Sequence, residues 1–503
     1  MISAHLTVDP HFVVGPINRR IFGSFVEHLG RAIYDGIYEP SHPQADADGF
    51  RRDVIELVKE LGVSTIRYPG GNFVSGYRWE DGVGPRAERP RRLDLAWHST
   101  ETNEIGLDEF VLWLRKVDSE LMYAVNLGTR GVQEALEVLE YANIRSGTEL
   151  SERRIANGAV EPYRIRMWCL GNEMDGQWQL GYGTPHEYGR LAVKTARAMR
   201  QIDPDLELVA CGSSNAQMPT FAEWERIILE ETYDHVDFIS CHAYYEPFGG
   251  DYASFLASAV NMDHFIDTVV ATADHVKAIR RSSKTINISF DEWNVWYLSR
   301  YNEVDRITDL DDWPVAPRIL EDVYSVVDAV VFGNLLISLL RHADRVTSAS
   351  LAQLVNVIAP IMTEPGGAAW RQTTFFPFAV TSRLARGVTL ELKLDCPTYA
   401  TDRHGVVPVV DAVATYDEAT GHAAIFLVNR SLKEAAEVVV DTRLLGDVTI
   451  SSAVTLWDED IHAANTVEQP NRVGLRPNES ARLTGEVLRI TLPPVSWTAV
   501  SLD

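Results

Sequence analysis

The run Arg166-Met167-Trp168-Cys169-Leu170-Gly171-Asn172-Glu173-Met174-Asp175-Gly176 begins apolar, breaks at a glycine, and then presents an amide beside a carboxylate. That is how a strand ends at the rim of a parallel-strand protein, where the loops after the strands carry the chemistry. A second segment of the same design, Ile286-Asn287-Ile288-Ser289-Phe290-Asp291-Glu292-Trp293-Asn294, lies further along.

Working outward from these two, apolar β-rich runs recur at 21–27, 64–68, 121–127, 165–170, 206–211, 238–242, 286–290 and 346–351. Each is followed by a helical pattern. Phe50, Val54, Leu57, Val58 and Leu61 keep helical spacing and stop at Gly62, a suitable residue just past a helix end. Leu107, Phe110, Val111, Leu114 and Val117 repeat the pattern. Thr184-Pro185-His186-Glu187 opens the next long helix with an N-cap, a proline at the first helical position and a glutamate at the third, and a stop is expected near Asp203-Pro204. Eight strand–helix units predict an α/β fold, a (β/α)8 TIM barrel. A doubly wound open sheet is the alternative, but the phosphate-binding glycine signature that often accompanies it is absent.

After Phe375-Phe376-Pro377 helical spacing gives way to short strands and turns, such as Ala423-Ala424-Ile425-Phe426-Leu427-Val428-Asn429 behind Ala419-Thr420-Gly421. Regularly spaced strands of this kind predict a C-terminal all-β sandwich, jelly-roll-like in character. The expected division is 1–17 as an N-terminal strand joining the sandwich, 18–376 as the catalytic barrel and 377–503 as the β-sandwich. A chain of 503 residues exceeds what one core usually serves, so more than one domain is expected in any case.

Lys and Arg number 46 against 71 Asp and Glu, a formal charge of -25. That balance argues against nucleic acid or an anionic membrane as a partner, since both need a basic face. The N-terminus lacks the basic and apolar regions of a signal peptide, and no apolar run reaches a membrane span. Cys169, Cys211, Cys241 and Cys396 are scattered without a C-x-x-C pair, which reads as reduced thiols. A cytoplasmic location is expected.

The strand ends carry polar groups that a structural barrel does not need: Glu27-His28, Arg67 with Gly70-Gly71-Asn72, Asn126, Asn172-Glu173, Ser213-Ser214-Asn215, His242 with Tyr244, Asp291-Glu292, and Gln353 with Asn356. One such group is ordinarily a rim hydrogen bond; eight at one end of the strands point to a site. Glu173 and Glu292, from strands four and seven, supply the two carboxyls that glycosidic bond cleavage requires. Trp97, Trp178, Tyr244, Tyr245, Trp293, Trp296 and Tyr297 gather in the same loops, and sugar C–H faces stack on such rings. Trp97 and Trp296 are the better stacking candidates, whereas Trp168 reads as core. Nucleotide-binding, zinc-protease and serine-hydrolase motifs are absent. A metal site of Glu27, His28 and His242 is the weaker alternative, because ligand-type histidine spacing is missing. Another glycosidase on the same scaffold and an inert carbohydrate-binding barrel also stay open.

The motifs Phe22-Gly23-Ser24-Phe25-Val26-Glu27-His28-Leu29-Gly30, Arg67-Tyr68-Pro69-Gly70-Gly71-Asn72-Phe73, Gly171-Asn172-Glu173-Met174-Asp175-Gly176, Asp291-Glu292-Trp293-Asn294-Val295-Trp296-Tyr297 and Gln353-Leu354-Val355-Asn356-Val357 resemble those of the α-L-arabinofuranosidases of glycoside hydrolase family 51, in clan A. The resemblance runs over essentially the whole chain. It implies a retaining, exo-acting double displacement on non-reducing terminal α-L-arabinofuranosyl groups of arabino-oligosaccharides or arabinoxylan fragments. By the resemblance, Glu173 is the general acid/base and Glu292 the nucleophile. Glu27, Arg67, Asn72, Asn172, Tyr244 and Gln353 then shape the furanose subsite, Trp97 and Trp296 lie near the pocket walls or the aglycone side, and His242 supports the nucleophile. Neither a cofactor nor a metal is implied; the expected partners are arabinofuranosyl oligosaccharides and, in a homo-oligomer such as a hexamer, copies of the chain itself. Retention requires carboxyls ~5–5.5 Å apart, and inversion ~6.5–9.5 Å.

Overall fold

Eight short strands, hydrogen-bonded only in parallel, close on themselves in chain order: β1 (Gly23–Phe25), β2 (Thr65–Tyr68), β3 (Glu120–Val125), β4 (Met167–Leu170), β5 (Glu207–Ala210), β6 (Phe238–Tyr245), β7 (Asn287–Val295) and β8 (Val346–Ala352). The structure is a computed structural model and describes residues 1–503. Strand β4 shows why the sequence folds this way: Met167, Trp168, Cys169 and Leu170 are all buried, half facing the barrel interior and half the helical layer. Trp168 is core, its indole N–H donating to the Ile165 carbonyl at 3.0 Å.

The helices follow from their caps. The helix Arg52–Leu61 buries Val54, Leu57, Val58 and Leu61 and ends on Gly62 at φ 79°, a left-handed position suited to glycine. In Pro185–Ile202 the Thr184 side chain accepts from the Glu187 N–H, and the Glu187 carboxylate accepts from the Thr184 N–H at 2.9 Å.

The C-terminal domain is all-β, with a five-stranded and a seven-stranded sheet. Its core between the sheets includes Leu6, Ile425, Leu427, Val438, Ile490 and Val500. Ile2–Thr7 lies in the smaller sheet, parallel to Ala436–Asp441 and antiparallel to Lys393–Asp395, while Val13–Pro16 pairs with Val388–Leu390 in the larger one.

The helix Val326–Arg341 is buried along nearly its whole length, because the barrel covers one side and the larger sheet the other. A Cβ at Gly333 would lie 2.3 Å from Trp497 Cδ1, so only glycine allows this approach. Arg341 bridges Asp263 of the barrel shell and Asp411 of the sheet, and Arg430 donates to Asp411 at 2.6 Å.

One expected feature differs. Helical structure does not stop at Phe375-Phe376-Pro377; a helix spans Phe375–Leu384, with Pro377 in its first turn, where a missing N–H costs nothing. It packs on Arg52–Leu61, with the Ser382 hydroxyl donating to the Leu61 carbonyl at 2.8 Å. The change to strands comes at Val388–Leu390.

Candidate active site

At the carboxyl ends of the strands, a buried hydrogen-bonded set joins β1, β2, β4, β6, β7 and β8. Arg67 of β2 is its hub. Its guanidinium donates to Glu292 Oε1 at 2.7 Å and to Asn172 Oδ1 at 2.6 Å. The Tyr244 hydroxyl donates to the other Glu292 oxygen at 2.7 Å. Asn172 donates in turn to Asn72 Oδ1 at 3.3 Å.

Glu173 follows the Gly171 break. Both residues have left-handed backbone, φ 93° for Gly171 and 45° for Glu173. That conformation is unfavourable for a side-chain-bearing residue, and such strain is typically kept at functional positions. It turns Glu173 toward His242, whose Nδ1 lies 2.9 Å from Glu173 Oε1 and 3.6 Å from Glu292 Oε2. Trp178 donates its indole N–H to Glu173 Oε2 at 2.6 Å.

Register shifts re-aim β6 and β7. The ladder between them slips between Ser240 and His242, and that between β7 and β8 slips between Phe290 and Trp293. Adjacent strand residues ordinarily face opposite sides, but the bulge brings Asp291 and Glu292 both to the interior. Asp291 Oδ1 is 3.0 Å from His242 Nε2, and Oδ2 is 3.8 Å from Arg67 Nε.

On the far side, Glu27 Oε1 accepts from the Phe73 N–H at 2.8 Å and the Trp97 indole at 3.0 Å, and Gln353 donates to Oε2 at 3.3 Å. The rings of Tyr244 and Trp296 meet edge to face at 5.0 Å, and the buried Trp296 indole N–H has no protein partner.

Burial dominates the ionisation of these groups. It pushes Glu27 up to about 8 against the N–H donors of Phe73 and Trp97, with the Glu292 charge adding to the rise. It raises Glu292 too, opposed by the charge of His242, increased by Glu173 and opposed again by Arg67 and Tyr244. For His242, burial opposes protonation but is outweighed by the Glu292 charge and the bonds to Asp291 and Glu173. The ring is pushed up to about 10, toward its cationic form.

That charge bears on metal binding. Glu173, His242 and Glu292 offer ligand atoms within 4.8 Å of one another. A metal needs a bare imidazole nitrogen, whereas both nitrogens here already face carboxylates at hydrogen-bond distance, with the Arg67 guanidinium on Glu292 beside them. The set suits sugar hydroxyls better than an ion.

Residues 57–276 match the α-L-arabinofuranosidase 1 domain, and residues 291–496 the α-L-arabinofuranosidase C-terminal domain. An exo-α-(1→6)-L-arabinofuranosidase of Bifidobacterium longum is 59% identical over 99% of this chain and 97% of its own. The intracellular exo-α-(1→5)-L-arabinofuranosidase of Streptomyces lividans is also 59% identical, over 99% of this chain and 75% of its own. The solved structure of a family 51 α-L-arabinofuranosidase from Bifidobacterium longum superposes with a TM-score of 0.96 at 48% identity, covering 100% of both chains. The chain belongs to the family 51 α-L-arabinofuranosidases.

Within this glycoside hydrolase, the structure brings together Glu27, Arg67, Asn72, Trp97, Asn172, Glu173, His242, Tyr244, Glu292, Trp296 and Gln353, each by the contacts above. Other strand-end groups have structural partners. Asn126 ties its own loop by donating to the Tyr77 carbonyl, and Asn356 donates to the Arg31 carbonyl. His28 lies 2.8 Å from both Glu101 Oε2 and the Tyr68 hydroxyl, so it forms no cluster with Glu27 and His242. Two groups named in the sequence only as members of a set gain specific contacts: Asp291, which strand alternation sends the wrong way, and Trp178, counted there among the loop aromatics. The glycine at 176 is the available signal for Trp178, since a Cβ there would lie 2.4 Å from the indole.

Proposed function

We propose that this α-L-arabinofuranosidase removes non-reducing terminal arabinofuranosyl groups with retention, using Glu173 as acid/base and Glu292 as nucleophile. The observation that carries this is the convergence of the two carboxylates on His242, with an oxygen of each within 4.8 Å of the other, on the short side of the range for retention and inversion. Protonated Glu173 gives its proton to the leaving oxygen as Glu292 bonds to the anomeric carbon. Water then attacks that carbon, Glu173 takes its proton, and the ester bond breaks back to Glu292. No cofactor is needed. Glu27, Arg67, Asn72, Asn172, Tyr244 and Gln353 hold the furanose, while Trp97 and Trp296 wall the pocket and His242 supports both carboxylates.

Relatives at the same identity are named for (1→5) and (1→6) linkages. Both linkages leave from a primary hydroxyl, the 5-hydroxyl of a pentofuranose or the 6-hydroxyl of a hexose. We therefore read the natural substrates as arabino-oligosaccharides whose terminal residue sits on a primary oxygen. Branches on the secondary hydroxyls of a xylan are poorer substrates in this reading. An intracellular location fits the relatives named so, and no helix is long and apolar enough to cross a membrane. A homo-oligomer is part of the same reading, checked by light scattering.

Proton NMR of the first-formed sugar tests retention: the α-anomer is expected, and the β-anomer overturns it. A panel of (1→2)-, (1→3)-, (1→5)- and (1→6)-linked arabinofuranosides tests the linkage reading, which fails if the secondary linkages are cleaved faster.

In the same reading, the catalytic barrel keeps the helix Phe375–Leu384, and the bracing sandwich takes 1–17 with the strands from Val388 onward.

A further inference from the structure

We propose that Asp291 is a positioning residue that holds His242 with both ring nitrogens donating, so that one N–H stays aimed between Glu173 and Glu292. The inference rests on the roles given above to those two glutamates. Asp291 is about 1% exposed, closed off from solvent behind His242 and Arg67. It is turned inward by the breaks in the ladders that β7 makes with β6 and β8 on either side of this residue. A buried carboxylate without a cation beside it is strongly disfavoured. This one has His242 Nε2 at 3.0 Å and Arg67 Nε at 3.8 Å, with the Cys169 thiol at 3.7 Å.

Charged and titratable groups surround His242 from several elements of the rim. Glu173 and Asp175 stand on the loop after β4, Asp291 and Glu292 on β7, Arg67 on β2, and Tyr244 on its own strand. Every group in direct contact with the ring nitrogens is a carboxylate, so each nitrogen is matched to an acceptor and calls for a proton.

The arrangement matters most in the second half of the reaction. Once Glu292 is an ester it carries no charge, and the Nδ1–H at 2.9 Å is directed at Glu173 alone. There it favours the ionised carboxylate that must accept the proton of water. Without the Asp291 charge the ring is more easily neutral, and a bare Nδ1 would compete for the proton on Glu173 instead.

Two experiments test this. A neutron crystal structure of the wild-type protein at mildly alkaline pH should show deuterium on both His242 nitrogens; one bare nitrogen overturns the proposal. Folded Asp291→Asn, checked by circular dichroism, should lower kcat on 4-nitrophenyl α-L-arabinofuranoside about 10–100-fold, the loss expected for one hydrogen bond to a charged group. KM should fall with kcat, and a pre-steady-state burst of nitrophenolate should appear, because deglycosylation slows most. A folded variant with wild-type kcat and KM, or with a loss of kcat and neither a fall in KM nor a burst, overturns it. If Asp291→Asn does not fold, the neutron structure decides alone. Failure of the glutamate assignments would appear in the azide reactions of the glutamate variants and leave the protonation of His242 untouched.

Discussion

Glu292 and Glu173 converge on the same nitrogen of His242, yet their surroundings differ in kind. Glu292 is 5% exposed, lies within the extended strand β7, and has a guanidinium from β2 on one oxygen and a phenol from β6 on the other. Glu173 lies beyond the end of β4 on left-handed backbone, and its outer oxygen is held by Trp178, a ring that is 51% exposed. The first setting fixes an anion in one place, as an attacking group needs. The second lets a carboxyl change protonation state and partner, as a group that gives and then takes a proton needs. A barrel can build both because rigid strands and adaptable loops meet at the same rim.

The contrast breaks most severely at Glu292. Glu292→Ala should lower kcat on the order of 10⁵-fold or more, since no other carboxylate can take up the bond; steady-state assays on the aryl arabinofuranoside check this. Glu173→Ala should lose about 10²–10⁴-fold on natural oligosaccharides and far less on an activated aryl glycoside. Azide should restore its turnover and give the α-arabinofuranosyl azide. An unchanged rate on unactivated substrates, with no azide product, would remove Glu173 from its role.

Tyr244→Phe takes one donor from Glu292 and should reduce kcat/KM about tenfold, the worth of one hydrogen bond in this setting. The lost hydroxyl favoured the ionised carboxylate, so the carboxyl should rise further and the acid limb of the kcat/KM profile should move to higher pH. Trp178→Phe keeps the ring but loses its N–H, and a fall in kcat of only a few-fold is expected, because the leaving group displaces this contact when substrate binds. Gly333→Ala lies outside both settings. Thermal unfolding should show a loss of about 1–3 kcal/mol from the collision with Trp497, while the folded fraction keeps its kcat.

Much of this was legible in the sequence because the physics was local. Strands buried on both faces leave apolar runs, and the end of each run marks the rim, which is how Asn172, Glu173 and Glu292 stood out. Caps such as Thr184 with Glu187 and stops such as Gly62 are written within four residues. What was hidden depended on distant parts of the chain. The inward turn of Asp291 comes from a register slip against β6 and β8, and nothing in residues 287–295 announces it. The helix Phe375–Leu384 is apolar on most sides because other elements enclose it, so it has no amphipathic period to detect. His28 looked like a site residue by position, but its partners Glu101 and Tyr68 come from other parts of the chain.

The pairing of Ile2–Thr7 with Ala436–Asp441 has a consequence for how the chain is made. The strand must wait for a partner synthesised about 430 residues later, which at ~5–20 residues per second is roughly 20–90 s on the ribosome. Apart from the closing pair β1 and β8, barrel strands find their neighbours within one strand–helix unit, and β8 ends at Ala352, so the barrel can form before the sandwich closes. During that interval the apolar residues Ala4, Leu6 and Val8 are uncovered, on a strand with a free edge. Slow translation late in the chain would lengthen this exposure, and a chaperone that shields the N-terminal strand would raise the yield of folded protein without touching the barrel.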